Sequence, residues 1–383
     1  MIIGQFCETY PPALDGVGRV MLAYCQTLSR MGHRALYIAP RDAAGSSTPG
    51  LETLLYPSIP IPGEPYRVGI PALSSAFRRT ARTMPFDIVH AHTPFFAGRA
   101  ARRIARKRNI PLVATFHSKY YDDFYRATHS RRLSLWALKY VVAFYNTCDE
   151  VWAVNDKTAD VLRQYGYKGP VITMPNGTDP QSVDEETYHR TLARWPLRED
   201  VPTLLFVGQM DVKKNPHLIL RACALLRDEG RDFQLVMAGA GQDLERLKAL
   251  AVSLGLQDRV LFTGFVAQRE AILSLCQRAD LLVFPSVYDN APMVVREAAA
   301  MGTPALLVRG SCSAEGVTHG DNGFLCEADP ASIAAGIVEA LPEAARAGLR
   351  ARDTIPIPWS VLMEHVLERY QRLIDQRTER SPA

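Results

Sequence analysis

The sequence predicts an α/β protein built from two Rossmann-like, doubly wound domains. Short apolar runs alternate with helix-like stretches from the first residues onward, as in βα units. A polar segment at 180–200 interrupts this alternation, which begins again at Thr203–Val207. The length of 383 residues also exceeds what one core usually supports. We expect the two domains to face a central cleft, with ligands bound beyond the carboxyl ends of the strands.

The expected domain boundaries follow the changes in pattern. We predict a first domain over 1–179, a linker over 180–200, a second domain over 201–357 and a C-terminal helix over 358–383. One apolar face between Trp359 and Gln376 predicts that helix, which should cross back to the first domain. The main strand-like runs are Ile2–Phe6, Ala35–Ala39, Ile88–His90, Leu112–Phe116, Val151–Val154, Val171–Met174, Thr203–Val207, Phe233–Ala238, Leu281–Phe284 and Ala305–Val308.

The composition is that of an ordinary globular protein, with 47% hydrophobic and 22% charged residues. The sequence contains no run of eighteen apolar residues, so it predicts no membrane span. The start of the chain shows no basic leader or cleavage site. The seven cysteines are scattered without a Cys-x-x-Cys pair, which fits a reducing compartment. We therefore expect a cytoplasmic protein, at most peripheral on the inner face of the cell membrane.

Charge is distributed unevenly along the chain. Residues 1–170 contain 22 Lys and Arg against 12 Asp and Glu, whereas the remainder is net acidic. This asymmetry predicts an anionic surface partner for the first domain. A non-enzymatic basic binder, for example of nucleic acid, is the remote alternative; no nucleic-acid module accompanies the basic residues, so we expect no nucleic acid partner. The sequence does not predict an oligomeric state.

Two loops that follow predicted strands suit a phosphate. The loop Tyr10–Gly18 contains Gly16 just before a helix, so bare backbone amides would face a phosphate at the helix N-terminus. The loop Gly208–Pro216 ends in Lys213 and Lys214, and a cation there can meet a diphosphate. Each loop also has a purely structural interpretation. The glycines of the first loop would then serve only the φ angles of a turn, and the lysines of the second would be a solvated surface pair.

A strand-to-helix turn in the second domain places two acids eight residues apart. Asp289 precedes the predicted helix start near Pro292, and Glu297 follows it. Amides at the helix N-terminus would point at a ligand, while Glu297, one turn in, suits hydrogen bonds from a ribose diol. The alternative interpretation is that Asp289 caps the helix and Glu297 is a surface acid.

These segments together resemble family 4 of the glycosyltransferases. Five segments match in order along nearly the whole chain, namely Asp15–Gly18, Thr115–His117, Pro175–Asp179, Gly208–Lys214 and Asp289–Glu297. The resemblance implies the GT-B fold and a retaining hexosyltransferase whose co-substrate is a nucleotide-diphosphate sugar. It implies no further cofactor and no metal, and the sequence contains no Asp-x-Asp motif.

The resemblance also implies residue roles. His117, Lys214 and Asp289 would form the catalytic set, with His117 beside the donor sugar and Asp289 holding it. Glu297 would bind the ribose hydroxyls. The expected donor-binding residues are Gly16, Gln209, Lys213, Asn290, Ala291, Pro292, Met293, Val294, Val295 and Glu297.

Two positions depart from the family pattern. Asp289 stands where the family has a glutamate, and Gln209 stands where it has an arginine. One of two phosphate cations is thus absent, and we expect Lys213 or Arg296 to replace it. His90 and His92 lack a neighbouring carboxylate or cysteine, so we expect no metal there.

The implied mechanism needs no protein nucleophile. The bond from sugar C1 to the phosphate oxygen loosens, and Lys214 together with amides near Val294 and Val295 stabilises the negative charge. The acceptor attacks from the same face, and the departing phosphate takes its proton.

The expected acceptor is a membrane lipid or a cell-envelope glycan. A narrower resemblance, to bacterial diacylglycerol glucosyltransferases, lies in His92–Gly98 and Thr115–Tyr121. Basic helices with interleaved apolar residues can lie on anionic lipid. The candidate acceptor or membrane residues are Tyr10, Asp15, Tyr120, Tyr121, Arg102, Arg103 and Arg106. UDP-glucose is the first donor candidate; a small soluble acceptor, a nucleotide-sugar epimerase and a phosphorylase remain as alternatives.

Overall fold

A computed structural model describes residues 1–10, 16–41, 50–60, 67–179 and 182–379. The chain forms two compact units. The first comprises Met1–Gly177 with Trp359–Ala383, and the second comprises Thr178–Pro358. Each unit is built around its own parallel sheet.

The first unit has a seven-stranded sheet covered by helices. Its strands are β1 Ile2–Phe6, β2 Arg34–Pro40, β3 Thr53–Tyr56, β4 Ser58–Pro60, β5 Arg67–Gly69, β6 Ile88–Ala91, β7 Leu112–Phe116, β8 Glu150–Ala153 and β9 Ile172–Thr173. Its first helices are α1 Gly16–Arg30, α2 Ser75–Thr83, α3 Phe96–Arg108, α4 Tyr120–Thr128, α5 Arg131–Tyr145 and α6 Asp156–Gln164. The sheet order is β3-β2-β1-β6-β7-β8-β9, while β4 and β5 form a separate antiparallel pair.

The second unit repeats this architecture with six strands. The strands are β10 Thr203–Val207, β11 Gln234–Ala238, β12 Val260–Gly264, β13 Leu281–Phe284, β14 Ala305–Val308 and β15 Phe324–Cys326. The helices are α7 Glu185–Leu192, α8 Pro216–Asp228, α9 Leu244–Ser253, α10 Arg269–Arg278, α11 Met293–Ala300, α12 Pro330–Ala340 and α13 Ala344–Thr354. The order β12-β11-β10-β13-β14-β15 is that of a Rossmann fold.

Both sheets reverse their strand order at one point, next to their first strand. In the first unit the reversal lies between β1 and β6, and in the second between β10 and β13. Central strands such as β2 and β11 are buried almost throughout, which explains their continuous apolar sequences. Doubly wound sheets bind ligands at this reversal, so in each unit the two strands beside it position that unit's candidate site residues.

The last helix, α14 Trp359–Glu379, belongs to the first unit, as the predicted return of the C-terminal helix requires. It packs along α1. Two arginines of α14 bind Glu150 of β8, with Arg369 Nη2 at 2.8 Å and Arg372 Nη2 at 2.9 Å from Oε1. The ring of Tyr370 stacks on Trp152 at 5.7 Å.

The connector expected at 180–200 contains a helix. Helix α7 lies in this segment, packs on α10 and belongs to the second unit, which begins at Thr178. Asp184 caps it, because Oδ1 accepts a hydrogen bond from the amide of Thr187 at 2.8 Å. The helix is short and polar, so it shows little apolar periodicity. Over the described residues, no helix is both long and apolar enough to cross a membrane.

Candidate active site

The second unit brings two predicted donor loops together at its strand reversal. Lys213 and Lys214 lie in the loop after β10, and Asp289 lies in the loop after β13. The side chains of Lys214 and Asp289, 75 positions apart in the chain, form an ion pair with 2.6 Å between Nζ and Oδ1. Parallel neighbouring strands end at the same edge of the sheet, which explains this meeting.

The ion pair between Lys214 and Asp289 is largely shielded from water. The two side chains are 13% and 17% exposed. The second carboxylate oxygen of Asp289, Oδ2, accepts a hydrogen bond from Ser286 Oγ at 2.6 Å. Asp289 is therefore the partner of Lys214 and not a helix cap, since Pro292 occupies the N-cap of α11 without a side-chain bond.

Short-range contacts hold Lys214 in place. A single 3₁₀ turn at Val212–Lys214 is capped by Asp211, whose Oδ1 accepts from the Lys213 amide at 3.0 Å. Asn215 then adopts a left-handed backbone with φ of 59°, which asparagine tolerates well. Its side chain donates to the carbonyl of Pro285 at 3.0 Å, which ties the two loops together.

Two glycines allow the β10 loop to lie against the loop after β11. Gly239 has a φ of 146°, and a Cβ there would lie 1.9 Å from the carbonyl oxygen of Gly208. The amide of Gly208 donates to Ala238 at 3.0 Å, and that of Met210 donates to Ala240 at the same distance. Side chains are thus excluded by close backbone contact at this point.

Of the two predicted replacements for the second phosphate cation, only Lys213 lies in this cluster of loops. Its Nζ is 4.5 Å from the centre of the Tyr288 ring and 3.7 Å from Asp211 Oδ2. Arg296 is engaged elsewhere, since Nη1 donates to the carbonyl of Ile355 at 2.9 Å and burial lowers its pKa. The side chain of Gln209 is exposed.

The N-terminus of α11 presents amides near the ion pair. The Val295 amide donates to the carbonyl of Pro292 at 3.3 Å, whereas the amides of Met293 and Val294 have no hydrogen-bond partner among the described residues. Unpaired amides and the helix dipole favour an anion at such a terminus. The amides left open at this terminus are thus those of Met293 and Val294, one residue earlier than the pair expected from the sequence. Asn290 is buried and Ala291 half-buried in the preceding turn.

Glu297 is buried one turn into α11, so its alternative interpretation as a surface acid is wrong. Its residue exposure is 7%. Arg269, the first residue of α10, approaches with Nη2 at 3.3 Å from Oε1. The cation compensates for the carboxylate that α11 buries. Arg269 carries no local sequence signal and was not predicted.

In the first unit, His117 lies at the end of β7 beside His92. His92 Nδ1 and His117 Nε2 are 3.0 Å apart, and the two rings stack with centres 5.3 Å apart. On its other side, His92 Nε2 is 2.9 Å from the side-chain oxygen of Gln5 on β1. All three side chains are buried. They come from three adjacent strands around the strand reversal.

His90 extends these contacts into the C-terminal helix. Its Nδ1 lies 2.6 Å from the hydroxyl of Tyr370, and its Nε2 lies 2.8 Å from Thr115 Oγ1. The Gln5 side-chain nitrogen donates to the same Tyr370 hydroxyl at 3.2 Å. Hydrogen bonds thus engage both ring nitrogens of His90 and of His92.

Burial keeps the three histidines neutral. Desolvation lowers the pKa of His117 from 6.5 to about 3. It also holds the pKa of His90 and of His92 well below the usual range, and repulsion from the neighbouring imidazoles adds to the effect. Each ring then carries a single N–H, so each donates once and accepts once.

The predicted glycine-rich loop is only partly described. Gly16 is the exposed first residue of α1, and an added Cβ there would meet nothing within 4 Å. Asp15 lies outside the described residues. Tyr10 is buried, with its ring edge-on to Tyr37 at 5.6 Å.

The two tyrosines predicted to line an acceptor pocket differ in exposure. Tyr120 belongs to the core, where it packs against Phe95 and Phe116, and so offers no surface. Tyr121 is half-buried and stacks on the exposed ring of Tyr125 at 6.2 Å. Helix α4 buries one aromatic face, which the sequence pattern does not distinguish from a pocket.

Cations line a cavity of about 690 Å³ between α2 and α3. Of the three predicted membrane cations on α3, Arg103 lines it, whereas Arg102 and Arg106 do not. The full set of lining cations is Arg78, Arg82, Arg99, Arg103 and Lys107, and no carboxylate lines the cavity among the described residues. We call this feature the cationic groove.

Several side chains that contact the predicted ones carry no signal of their role in the sequence. His92 contacts His117, and Ser286 donates to Asp289. Gln5 and Tyr370 extend the contacts of His92 further into the first unit. The His-x-His pattern at 90 and 92 is the one signal that could have indicated a buried polar pair. Within the described ranges, no group of three or more His, Cys, Asp or Glu side chains could hold a metal.

Two family models match successive parts of the chain and together cover most of it. One, described as Glycosyltransferase Family 4, matches residues 14–182, and the other, described as Glycosyl transferases group 1, matches residues 189–352. The chain belongs to glycosyltransferase family 4.

Relatives of this family 4 glycosyltransferase differ in the sugar that their names give. The alpha-monoglucosyldiacylglycerol synthase of Streptococcus pneumoniae is 27% identical over 80% of this chain and 70% of its own length. The GDP-mannose-dependent alpha-mannosyltransferase of Corynebacterium glutamicum is 25% identical over 85% of this chain and 77% of its own. The chain is therefore a glycosyltransferase enzyme that acts on nucleotide sugars.

Solved structures share its fold. Anabaena HepE, in complex with UDP and glucose, superposes with a TM-score of 0.77 at 18% identity, covering 97% of this chain and 99% of HepE. Sucrose-phosphate synthase from Thermosynechococcus elongatus reaches 0.80 at 19% identity, covering 98% and 99%. The glycosyltransferase thus has the GT-B fold of two Rossmann-like domains.

Proposed function

We propose that this glycosyltransferase moves a glucosyl group from UDP-glucose, with retention at the anomeric carbon, to a hydroxyl of a membrane lipid. The observation that carries the donor proposal is the shielded pair of Lys214 and Asp289 beside the N-terminus of α11. A cation and open helix amides suit the diphosphate of such a donor. A carboxylate in the same group of loops suits its sugar hydroxyls.

The second unit offers each part of the donor a partner. The diphosphate lies between the Lys214 ammonium and the amides of Met293 and Val294, because both carry positive charge toward it. Asp289 accepts hydrogen bonds from sugar hydroxyls, and the buried carboxylate of Glu297 accepts those of the ribose. Lys213, over Tyr288, is the second cation for the phosphates.

The transfer breaks the bond between sugar C1 and the β-phosphate oxygen, and the electron pair stays on that oxygen. The acceptor hydroxyl oxygen bonds to C1 on the same face, and its proton passes to the departing phosphate. The names of two relatives specify alpha products, which supports retention. Stabilising the leaving charge with fixed donors and a lysine is the main contribution of the protein.

The choice of UDP-glucose rests on relatives. HepE binds UDP and glucose, and the Streptococcus pneumoniae relative is a glucosyltransferase by name. GDP-mannose is the competing donor, since the Corynebacterium glutamicum relative depends on it. No residue described here reads the base, so the two donors are compared in the experiment below.

The lipid acceptor is supported by the surface of the first unit. The cationic groove carries five positive charges over an apolar floor that includes Phe77 and Ile104. Close by, Arg99 lies 4.0 Å from the centre of the Tyr140 ring, which stacks with Trp136, a side chain that is 69% exposed. Exposed aromatic rings beside cations favour an anionic lipid surface.

The deciding experiment compares Lys214→Ala with wild type. UDP-glucose and GDP-mannose are screened by thermal shift, and transfer to diacylglycerol is followed by nucleotide release. We expect UDP-glucose to raise the Tm by mass action and Lys214→Ala to lower kcat/KM about 100-fold, as for loss of one transition-state charge donor.

Lys248→Ala is the matched control, since Lys248 is an exposed lysine of the same unit paired with Glu245. It should behave as wild type. Full kcat/KM in Lys214→Ala would reject the leaving-group site. A shift with GDP-mannose and none with UDP-glucose would reject the proposed donor. Lys213→Ala with unchanged donor affinity would remove Lys213 from the phosphate site.

A further inference from the structure

A continuous line of six buried polar side chains crosses the first unit. Its members, in order of contact, are Thr115, His90, Tyr370, Gln5, His92 and His117. We call it the histidine chain. Each of its five contacts is between 2.6 and 3.2 Å. Buried polar groups persist when their donors and acceptors are satisfied. The two ends of the chain are Thr115, within β7, and His117, which directly follows it.

The amide of Gln5 sets the direction of hydrogen bonding on the side of His117. Its oxygen faces His92 Nε2, and an amide oxygen only accepts, so His92 Nε2 carries the hydrogen. His92 is neutral and its Nδ1 therefore accepts. The hydrogen between the two imidazoles must then come from Nε2 of His117.

Beyond Gln5, the hydrogen bonds toward Thr115 run in the same direction along the chain. Its nitrogen donates to the Tyr370 hydroxyl, whose single proton is then directed to His90 Nδ1. The remaining ring N–H of His90, at Nε2, donates to Thr115 Oγ1. Each of the four inner members donates once and accepts once within the chain, so reversing one bond requires reversing the whole chain.

We propose that the histidine chain fixes His117 in the tautomer with hydrogen on Nε2 and the lone pair on Nδ1, and that Gln5 and Tyr370 are positioning residues for transfer. This rests on the proposed function, together with the position beside the donor sugar that the family resemblance implies for His117. A lone pair at Nδ1 accepts from a hydroxyl and repels a phosphate oxygen. His117 in this form favours the sugar hydroxyls over the diphosphate as its partner.

Tyr370 is the member through which the C-terminal helix acts. Its hydroxyl contacts both His90 and Gln5, and so joins the two parts of the histidine chain. Stacking on Trp152 and the ion pair of Arg369 with Glu150 hold the ring in place. Without the hydroxyl, the nitrogen of Gln5 loses its acceptor, and the amide can exchange its ends. His92 and His117 then follow into either tautomer.

The test compares two conservative variants, Tyr370→Phe and Tyr24→Phe. Tyr24 is the matched control, because its buried ring also lies edge-on to His90, with centres 5.8 Å apart against 5.9 Å for Tyr370, and its hydroxyl is not in the chain. Each variant removes one buried hydroxyl beside the same histidine. The proteins carry ¹⁵N-labelled histidine, and His117→Gln identifies the His117 signals.

The first readout is the ring-nitrogen NMR spectrum, which does not depend on activity. In wild type and in Tyr24→Phe we expect His117 with a protonated Nε2 and a bare Nδ1, unchanged from pH 5 to pH 8. In Tyr370→Phe we expect a mixture of both tautomers. A proton on Nδ1 in wild type, or an unchanged His117 spectrum in Tyr370→Phe, would overturn the proposal.

The second readout is transfer. We expect Tyr370→Phe to lower kcat roughly tenfold, the factor for losing one buried hydrogen bond, with the Kd for UDP unchanged. Tyr24→Phe should keep the wild-type kcat. A tautomer mixture in Tyr370→Phe with an undiminished kcat would overturn the positioning role. If wild type transfers no sugar while its spectrum is as expected, the proposed function fails and the fixed tautomer stands.

Discussion

The carboxylate of Asp289 has two tasks that compete for the same atoms. It neutralises Lys214 at 2.6 Å and receives a hydrogen bond from Ser286, and in the proposed function it also binds sugar hydroxyls. The arriving diphosphate brings negative charge to the same ammonium. Shielding from water strengthens both the ion pair and the repulsion between the carboxylate and the phosphates. In the proposed function, Lys214 therefore exchanges part of its contact with Asp289 for contact with the donor.

Asp289→Asn separates these tasks. The amide leaves the Lys214 charge uncompensated, so UDP should bind at least as tightly as in wild type. Transfer from UDP-glucose should fall about tenfold, since one of two accepting oxygens becomes a donor. Isothermal titration with UDP and initial rates with UDP-glucose measure the two effects. Asp289→Glu, which keeps the charge, is the control and should retain most of the transfer activity. An Asp289→Asn enzyme with the wild-type rate would show that the carboxylate serves only to hold Lys214.

At the scale of elements, the burial of three histidines near the ends of β6 and β7 makes the stability of the protein depend on pH. His90, His92 and His117 lie on or just after β6 and β7, where burial keeps their pKa values low. In the unfolded chain each has a pKa near 6.5. Below that pH the unfolded state binds protons that the folded state does not, so stability present above pH 6.5 is lost as the pH falls.

His117→Gln should reduce this acid sensitivity. For one such group the loss is about 1.4 kcal/mol per pH unit, so between pH 7 and pH 5 the variant should lose about 2 kcal/mol less than wild type. Urea unfolding at the two pH values measures the difference. Glu8, whose pKa burial raises to about 7, acts in the opposite direction and cancels in the comparison.

His365→Gln is the control for that comparison, because His365 is an exposed residue of α14. It should follow wild type at both pH values. Equal acid sensitivity in His117→Gln and wild type would mean that His117 does not stay neutral in the folded protein.

The whole molecule concentrates its positive charge on the first unit, where the cationic groove collects side chains from two helices. Arg99, Arg103 and Lys107 are spaced four residues apart on α3, so like charges share one face, which costs helix stability unless an anion is near. Each cation near an anionic bilayer contributes about 1 kcal/mol. In the proposed function, the groove is therefore the described surface that meets a lipid phosphate.

The double variant Arg103→Gln with Lys107→Gln tests this. Binding to vesicles of phosphatidylglycerol and phosphatidylcholine should weaken about 30-fold, as two such cations imply. Arg102→Gln with Arg106→Gln has the same charge change and spacing on α3 but lies outside the groove, and should bind better than the first. Cosedimentation measures both. Equal weakening of vesicle binding in the two double variants would indicate a diffuse electrostatic attraction to the whole basic surface. Absence of vesicle binding by the wild-type protein would reject the membrane proposal.

Much of the architecture follows from the sequence, because the alternation of short apolar runs with helix-like stretches predicts both parallel sheets. Lys214 and Glu297 also carry recognisable local patterns. Contacts between distant segments do not: the histidine chain joins Gln5, His92 and Tyr370 from separate parts of the chain, and no local spacing reveals it. Helix α7 was missed because eight mostly polar residues show no apolar face.

Helix α14 also has a consequence for biosynthesis. Translation proceeds from the N-terminus, so all of 178–358 is made after the sheet of the first unit and before α14 exists. At 5–20 residues per second this delay lasts roughly 10–40 s. During that time the apolar side of α1 that receives α14 is uncovered, and Gln5 and His90 lack the Tyr370 hydroxyl. The nascent first domain thus exposes an apolar surface while the second domain is made, and its polar interior is completed last.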